Sequence, residues 1–399
     1  MTKFIKHRDL KIGWYFCLVA VLFCSCVEPY EIGTETFESA LVIEGTITDQ
    51  LETQEIKLSR SFKVEEDTPS PENNARVIVV GDDGAEYNFN SLEKGIYQSN
   101  NPFRARAGVN YTLEVTTQDG NNYSSNPSEL SGTSIIDDVS AIRTIQPIGG
   151  VDSDGVAILV NSRGTNDNNS YYRYTYEETY EIRSFYQVND KFIITENGGI
   201  GIVPKEEQDY ICYTTKYSNE IILTNTNLLT TNDVESVPVH FINGNSRSIA
   251  YRYSILVKQF SLSREAYEFY ELLKELSGSE SLFSQNQPGS INGNVFSVSN
   301  DNEKVFGYFS VSAVDSKRLF FNFTDFFDFS EFPASQFDCT ITRPFPFFAD
   351  FITSGTYMFY GIPLGPNPEE GDGPYRVAAS VCIDCTILGT TEVPEFWVE

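Results

Sequence analysis

Histidine is almost missing from this chain of 399 residues, in which only His7 and His240 occur. Zinc centres built on histidine, such as the HExxH arrangement, need two histidines on one element, so this scarcity excludes them. The chain also lacks a GxxxxGK phosphate-binding loop and a GxGxxG dinucleotide-binding turn. We therefore predict no cofactor, no metal ligand and no catalytic residue. His240, within Val237-Pro-Val-His-Phe241, is expected to be a partly buried strand residue with one hydrogen-bond partner.

Basic residues are scarce too, with 28 Lys and Arg against 56 Asp and Glu, which gives a formal net charge of −28. Phosphate backbones are held by clustered cations, so this balance excludes a nucleic-acid partner. Methionine and tryptophan number two each, whereas Phe and Tyr reach 30 and 23. Aromatic side chains of this kind favour strands over helices, and the composition predicts a mainly β protein.

The first residues have the organisation of an export signal. A basic segment, Lys3 to Lys11, precedes an uncharged apolar run from Ile12 to Cys24. This run is too short to span a bilayer comfortably, but its length suits the apolar region of a signal peptide. A short membrane anchor is the alternative interpretation.

The apolar run ends in Leu22-Phe-Cys-Ser-Cys26, which resembles a bacterial lipobox. Signal peptidases for lipoproteins require a small residue before the cysteine that receives the lipid, and Ser25 supplies it for Cys26. We predict that residues 1–25 are a lipoprotein signal peptide, that Cys26 is lipidated, and that the polar residues 26–37 form a tether. The mature protein would then be anchored to a membrane without spanning it.

Four cysteines remain after the signal peptide and the anchor: Cys212, Cys339, Cys382 and Cys385. An even number in an exported protein predicts structural disulfides, and four cysteines allow three different pairings. The Cys382-Ile-Asp-Cys385 spacing also occurs in thioredoxin-like redox motifs, but a βαβ context is missing here. A metal site would need further grouped ligands and has no histidine nearby.

Short alternating strands dominate the region after the tether. Leu41–Thr48 and Tyr111–Thr117 alternate apolar and polar residues, and Asp82-Asp-Gly84 is typical of a hairpin turn. About seven such strands predict an immunoglobulin-like or transthyretin-like β-sandwich over residues 38–126. The small, polar residues 127–134 are the predicted linker.

Residues 135–399 are predicted to form a larger β-rich domain with one amphipathic helix. Tyr172, Tyr174 and Tyr176 recur at the strand period of two, which predicts that they share one face. A helix is predicted from the cap at Ser263 to Gly278, because Phe269, Leu272, Leu273 and Leu276 follow the helical period. We expect this helix to cover one side of a sheet.

Several segments together resemble a Bacteroidota outer-membrane lipoprotein family catalogued as a domain of unknown function, of the 4249 type. They are Cys26-Val-Glu-Pro-Tyr30, Tyr267-Glu-Phe-Tyr-Glu-Leu-Leu-Lys274, Gly293-Asn294, Val305-Phe-Gly-Tyr-Phe309, Cys382-Ile-Asp-Cys-Thr386 and Pro394-Glu-Phe-Trp397. The resemblance extends over essentially the whole mature chain. It implies an accessory to a TonB-dependent receptor, and the only residue role that it carries over is that of Cys26.

Phenylalanine is concentrated between Leu319 and Tyr360. Most aromatic side chains belong to cores, so one interpretation of this segment is a thick sheet core. Prolines interrupt the segment, however, and its loop residues Phe345, Phe347 and Phe348 are candidates for a partner or ligand surface.

The acids Asp325, Asp328 and Glu331 lie within the same segment. They could bind a hard cation, but they lack EF-hand spacing and are more consistent with solvated loop acids. We also disfavour His240 as a general base, because that role needs a surrounding pocket, which the sequence cannot show.

Together with what this resemblance implies, the sequence predicts a non-catalytic, lipid-anchored accessory or binding subunit of a TonB-dependent transporter at the outer membrane. Its task would be nutrient capture or complex assembly. One alternative is a structural lipoprotein of envelope or surface assembly without a small ligand. Another is a glycosidase that uses two of the many carboxylates, which would require two carboxyl groups about 5–10 Å apart in a cleft.

Overall fold

The computed structural model describes residues 39–62, 68–165, 170–229, 231–278, 293–344, 352–362 and 373–398. The predicted signal peptide and tether, including Cys26, lie outside the described residues, as do Phe345, Phe347 and Phe348. The described part is mainly β, which confirms the predicted fold class.

Twenty-two strands and the α-helix α1 (Arg264–Gly278) occur in the described ranges. The strands are β1 (Leu41–Thr48), β2 (Glu55–Arg60), β3 (Ser70–Pro71), β4 (Arg76–Gly81), β5 (Glu86–Ser91), β6 (Ile96–Ser99), β7 (Tyr111–Thr116), β8 (Asn122–Ser125), β9 (Ser134–Ile148), β10 (Val151–Gly164), β11 (Tyr171–Arg183), β12 (Asp190–Ile194), β13 (Ile200–Pro204), β14 (Ile211–Tyr217), β15 (Ile222–Asn225), β16 (Asp233–Asn243), β17 (Arg252–Ser261), β18 (Val295–Ser297), β19 (Val305–Ser312), β20 (Val314–Asn322), β21 (Tyr357–Gly361) and β22 (Arg376–Ala379). Of the helices in this part of the chain, none is both long and apolar enough to cross a membrane.

The first sheet has ten strands, in the order β18-β8-β7-β4-β5-β6-β2-β1-β19, with β3 paired to β2. Alternation along its strands buries one face, as Leu41, Ile43 and Ile47 of β1 show. Two of its strands, β18 and β19, follow the predicted linker by more than a hundred residues in the chain. The sheet therefore combines segments from both sides of residues 127–134, and the predicted domain division stays a prediction.

The parallel pairing of β1 with β19 depends on a glycine at residue 307. Gly307 has a φ of +112°, and a Cβ atom built on it would lie 1.8 Å from the backbone oxygen of Ile43 on the neighbouring strand. A side chain there would meet both a disfavoured backbone conformation and a direct clash with backbone atoms.

We expect Gly307→Ala to lower the free energy of unfolding by about 3 kcal/mol or more, because it strains the backbone and separates β1 from β19. Urea unfolding followed by circular dichroism measures the change. Gly361→Ala in β21 is the matched control, since a Cβ atom there has no neighbour among the described residues within 4 Å. Equal stability of the two variants would contradict this assignment of the strand pairing.

Two further sheets enclose a second core. One has the order β16-β10-β9, and the other has the order β14-β11-β17-β20 with β15 also paired to β11. Tyr172, Tyr174 and Tyr176 of β11 are all buried in this core, which confirms that they share one face. The side chains of the intervening residues of β11 lie on the opposite face of the sheet, which α1 contacts.

The helix α1 begins where the sequence predicts. The hydroxyl oxygen of Ser263 accepts a hydrogen bond from the backbone N–H of Ala266 at 3.1 Å, which caps the first turn. Phe269 packs against Tyr308 of β19, and Tyr267 packs against Tyr171 of β11. The helix thus contacts both the ten-stranded sheet and the five-stranded sheet, instead of covering one sheet alone.

Candidate functional site

All four predicted disulfide cysteines are paired. Cys212 is bonded to Cys385 and Cys339 is bonded to Cys382, with 5.7 Å between the Cα atoms of each pair. The first bridge joins β14 to the C-terminal segment, and the second joins that segment to the loop before β21. The Cys382-x-x-Cys385 spacing thus serves two separate structural bridges in place of a redox motif.

A cavity of about 470 Å³ opens beside these bridges. Strands β11, β14 and β16 form its wall, the turn before β17 covers one side, and the disulfide-bonded segments close another. Its size falls within the range of small-molecule sites. The residues on which the argument below depends are Glu178, Tyr180, Arg183, Lys216, His240, Arg247 and Tyr251. We call this space the cationic cavity.

Three basic side chains line the cationic cavity, although acids outnumber bases twofold in the whole chain. Arg183 forms an ion pair with the buried Glu181 and stacks over the ring of Tyr251 at 4.6 Å. Arg247 donates a hydrogen bond to the backbone oxygen of Pro333 at 3.1 Å. On the lining of the cavity the guanidinium groups are therefore held in place by an aromatic ring, a carboxylate and a carbonyl group.

Lys216 lies at the edge of the cavity, opposite Glu178 in the pairing of β11 with β14. Its ammonium group is 5.4 Å from the centre of the Tyr180 ring, and this neighbour raises the pKa of Lys216. Within the described ranges, neither Lys216 nor Arg247 forms an ion pair with a carboxylate. Arg183 is paired with Glu181 and Lys216 lies opposite the carboxylate of Glu178, so Arg247 is the base on the cavity lining that no described carboxylate offsets.

Glu178 is the single carboxylate among the described residues that line the cavity. It accepts a hydrogen bond from the hydroxyl of Tyr253 at 2.8 Å, and Nε2 of His240 lies 3.5 Å from it. Burial alone would raise the pKa of Glu178, but the hydrogen bonds from His240 and Tyr253 offset it, so that the pKa lies below its ordinary value. The group is ionised at neutral pH.

His240 matches the expectation for a strand residue. It lies in β16, is half-buried, stacks against the ring of Tyr176 at 4.3 Å, and has Glu178 as its acidic partner. The cavity lining does not provide the two carboxyl groups that a glycosidase would need, because Glu178 has no second acid beside it among the described lining residues.

Two of the loop acids that were considered as cation ligands, Asp325 and Glu331, bind groups of the protein itself. Asp325 accepts a hydrogen bond from the backbone N–H of Asn322 at 2.7 Å, and Glu331 accepts one from the backbone N–H of Asp328 at 3.0 Å. Glu331 also forms an ion pair with Arg143. In the described part of the chain, no group of three or more potential ligands could hold a metal ion.

The phenylalanine-rich segment contributes to both core and surface. Phe321, Phe323, Phe327 and Phe359 are buried, which agrees with the core interpretation for these positions. Phe329 is instead 78% exposed. The candidates for the partner surface, Phe345, Phe347 and Phe348, are outside the described residues, so their role stays a prediction.

Sequence reasoning missed the three cations of the cavity. Arg183, Lys216 and Arg247 lie on separate elements, and no motif or spacing connects them. The only signal was compositional: in a chain poor in basic residues, those that fall within apolar strands and turns are candidates for binding. The cavity itself forms only when β11, β14 and β16 meet the disulfide-bonded C-terminal segments.

Comparison with known proteins gives one family. Residues 27–318 match the family described as Domain of unknown function (DUF4249), which is well over half of the chain. A search of curated proteins found no match. The matched region includes the three cations of the cavity, whereas Cys339, Cys382 and Cys385 follow it. The chain therefore belongs to the DUF4249 family, as the resemblance in its sequence predicts.

Proposed function

We propose that the protein is a non-catalytic binding subunit whose cationic cavity captures a small anion carrying at least two negative charges. The observation that carries this proposal is the placement of Arg183, Lys216 and Arg247 around one cavity with Glu178 as the single lining carboxylate of the described residues. Each charge-assisted hydrogen bond contributes about 1.5–3 kcal/mol, so two such bonds give a specific site.

The rings around the cavity favour a ligand with a flat part. Tyr180, Tyr251 and Phe337 line it together with the guanidinium groups, and flat ligands can stack on both kinds of group. A purely structural lipoprotein would not need a cavity of this kind, which is why we prefer binding over a scaffold role. The absence of a second lining carboxylate among the described residues makes the glycosidase alternative less suitable for this cavity.

We further propose that the protein is anchored by the lipid on Cys26 at the outer membrane and that it acts beside a TonB-dependent receptor. The signal region and the resemblance to the lipoprotein family support this location, and the two disulfides are consistent with an oxidising compartment. In this proposal Phe345, Phe347 and Phe348 contact the receptor while the cavity holds the ligand.

The dianion benzene-1,3-dicarboxylate tests the cavity by isothermal titration calorimetry. We expect it to bind at least tenfold more tightly than the neutral benzene-1,3-dicarboxamide, and Arg247→Gln to weaken the dianion about tenfold, since one charged donor is lost. Arg76→Gln is the matched control, because Arg76 is an exposed base on β4 of the ten-stranded sheet and does not line the cationic cavity. Equal affinity for the two probes, or an unchanged affinity in Arg247→Gln, would overturn the proposed site.

A further inference from the structure

A second cavity, of about 540 Å³, lies where α1 meets the ten-stranded sheet. Its walls come from β1, β2 and β19 on one side and from α1 and one residue of β11 on the other. The side chains that define its chemistry are Arg173, Phe269, Tyr270, Leu273, Phe306 and Tyr308. We call it the apolar cavity, because apolar and aromatic groups dominate these walls.

Arg173 is the unusual member of this set. Its neighbours Tyr172 and Tyr174 are buried in the second core, so the side chain of Arg173 leaves β11 on the opposite face, toward α1. The guanidinium carbon lies 4.7 Å from the centre of the Phe260 ring and 4.6 Å from that of Tyr270. The rings hold the group in one place and shield it from water.

The Nε atom of Arg173 is buried and has no hydrogen-bond partner among the described residues. Because the rings of Phe260 and Tyr270 shield this atom, a ligand in the cavity can reach only the Nη1 and Nη2 atoms of Arg173. Arg173 also forms no ion pair with a carboxylate in the described part of the chain. An acceptor from outside the protein, with negative charge and a planar geometry, would pair with Nη1 and Nη2 where Arg173 lines the cavity.

The mouth of the cavity limits the charge of such a ligand. Glu44 and Glu55 lie on its lining together with Lys57, and Glu44 and Lys57 form an exposed ion pair at 3.5 Å. Two carboxylates against one lysine oppose the entry of a multiply charged anion. On the lining of the cationic cavity, three bases stand against one carboxylate. We therefore expect the two cavities to bind anions of different charge.

We infer that the apolar cavity binds a single-chain monocarboxylate, with its carboxylate on Arg173 and its aliphatic chain against Phe269, Leu273 and Phe306. A carboxylate matches the guanidinium fork in two parallel hydrogen bonds. An unbranched alkyl chain then removes the apolar wall of the cavity from water, which favours binding. This site is independent of the ligand proposed for the cationic cavity.

Octanoate and the neutral octanamide test this inference on the full chain by isothermal titration calorimetry, with a blank titration into the same buffer and detergent subtracted. We expect octanoate to bind at least tenfold more tightly than octanamide. In Arg173→Met, which keeps the length and much of the packing of the side chain, this preference should fall to about twofold or less. Arg76→Gln, at an exposed base of β4 that lines neither cavity, should leave octanoate binding unchanged.

A second variant covers the case in which Arg173→Met does not fold. Leu273→Trp enlarges a half-buried side chain of α1 within the cavity and leaves Arg173 in place, so octanoate and octanamide should both lose at least tenfold in affinity. Thermal unfolding of each variant checks that it is folded. Absence of saturable octanoate binding to the unmodified protein, equal binding of the two probes, or unchanged octanoate binding in Leu273→Trp would overturn the inference.

Discussion

Replacing Cys339 and Cys382 together with alanine is expected to lower the free energy of unfolding by about 4 kcal/mol, because the bridge closes a loop of 43 residues in the unfolded chain. The Cys212–Cys385 bridge closes a longer loop, with a sequence separation of 173 residues. Replacing both of its cysteines with alanine should therefore lower the free energy of unfolding by about 1 kcal/mol more. Urea unfolding under non-reducing conditions measures both changes. The same variants should weaken binding in the cationic cavity, since Cys339, Cys382 and Cys385 line it.

Thiol labelling gives the accompanying control. The unmodified protein, denatured without a reductant, should show no free thiol at Cys212, Cys339, Cys382 or Cys385, whereas reduction should expose all four. Single variants such as Cys339→Ala should free one thiol, and that thiol should be the one on Cys382. Labelling at two or more of these cysteines before reduction, or an unchanged stability of both double variants, would contradict the structural bridges.

Cys26→Ser is expected to move the protein from the membrane fraction into the soluble fraction almost completely. The lipid attached to Cys26 would hold the chain to the membrane, with about 0.8 kcal/mol contributed by each buried methylene group. Ultracentrifugation of lysed cells, followed by immunoblotting of pellet and supernatant, measures the distribution. Mass spectrometry of the purified mature chain should find acyl groups on its first residue.

Cys24→Ser is the matched control for this change. Cys24 lies two residues before Cys26 and follows Phe23, which is too large for the position before a lipidated cysteine. The Cys24→Ser protein should therefore stay in the membrane fraction with the same mass as the unmodified mature chain. Persistent membrane attachment of Cys26→Ser would contradict lipidation and would favour the alternative of a short membrane anchor.

Features set by neighbouring residues could be predicted from the sequence. The alternation in Leu41–Thr48 places its apolar residues on the buried face of β1, because successive strand residues point to opposite sides. Ser263 caps α1 for an equally local reason, since its hydroxyl needs only a backbone N–H three residues away. The oxidised state of the four cysteines followed from their even number and from the prediction that the chain is exported.

Features that join distant segments required the tertiary structure. Which cysteines pair depends on which Cα atoms come within 5.7 Å of each other, and three pairings were compatible with the sequence. In the same way, the alternation of β19 predicts a strand but does not specify β1 as its parallel neighbour.

The two cavities illustrate this division most clearly. Composition and local periodicity determined a mainly β chain, the cysteine count determined that it is disulfide-bonded, and the resemblance of several segments determined the DUF4249 family. Only the packing of sheets, α1 and the C-terminal segments decided that Arg183 and Arg247 face one cavity and that Arg173 faces another. The physical reason is that secondary structure follows interactions within a few residues, whereas a binding cavity is defined by side chains that meet only after long-range strand pairing and burial.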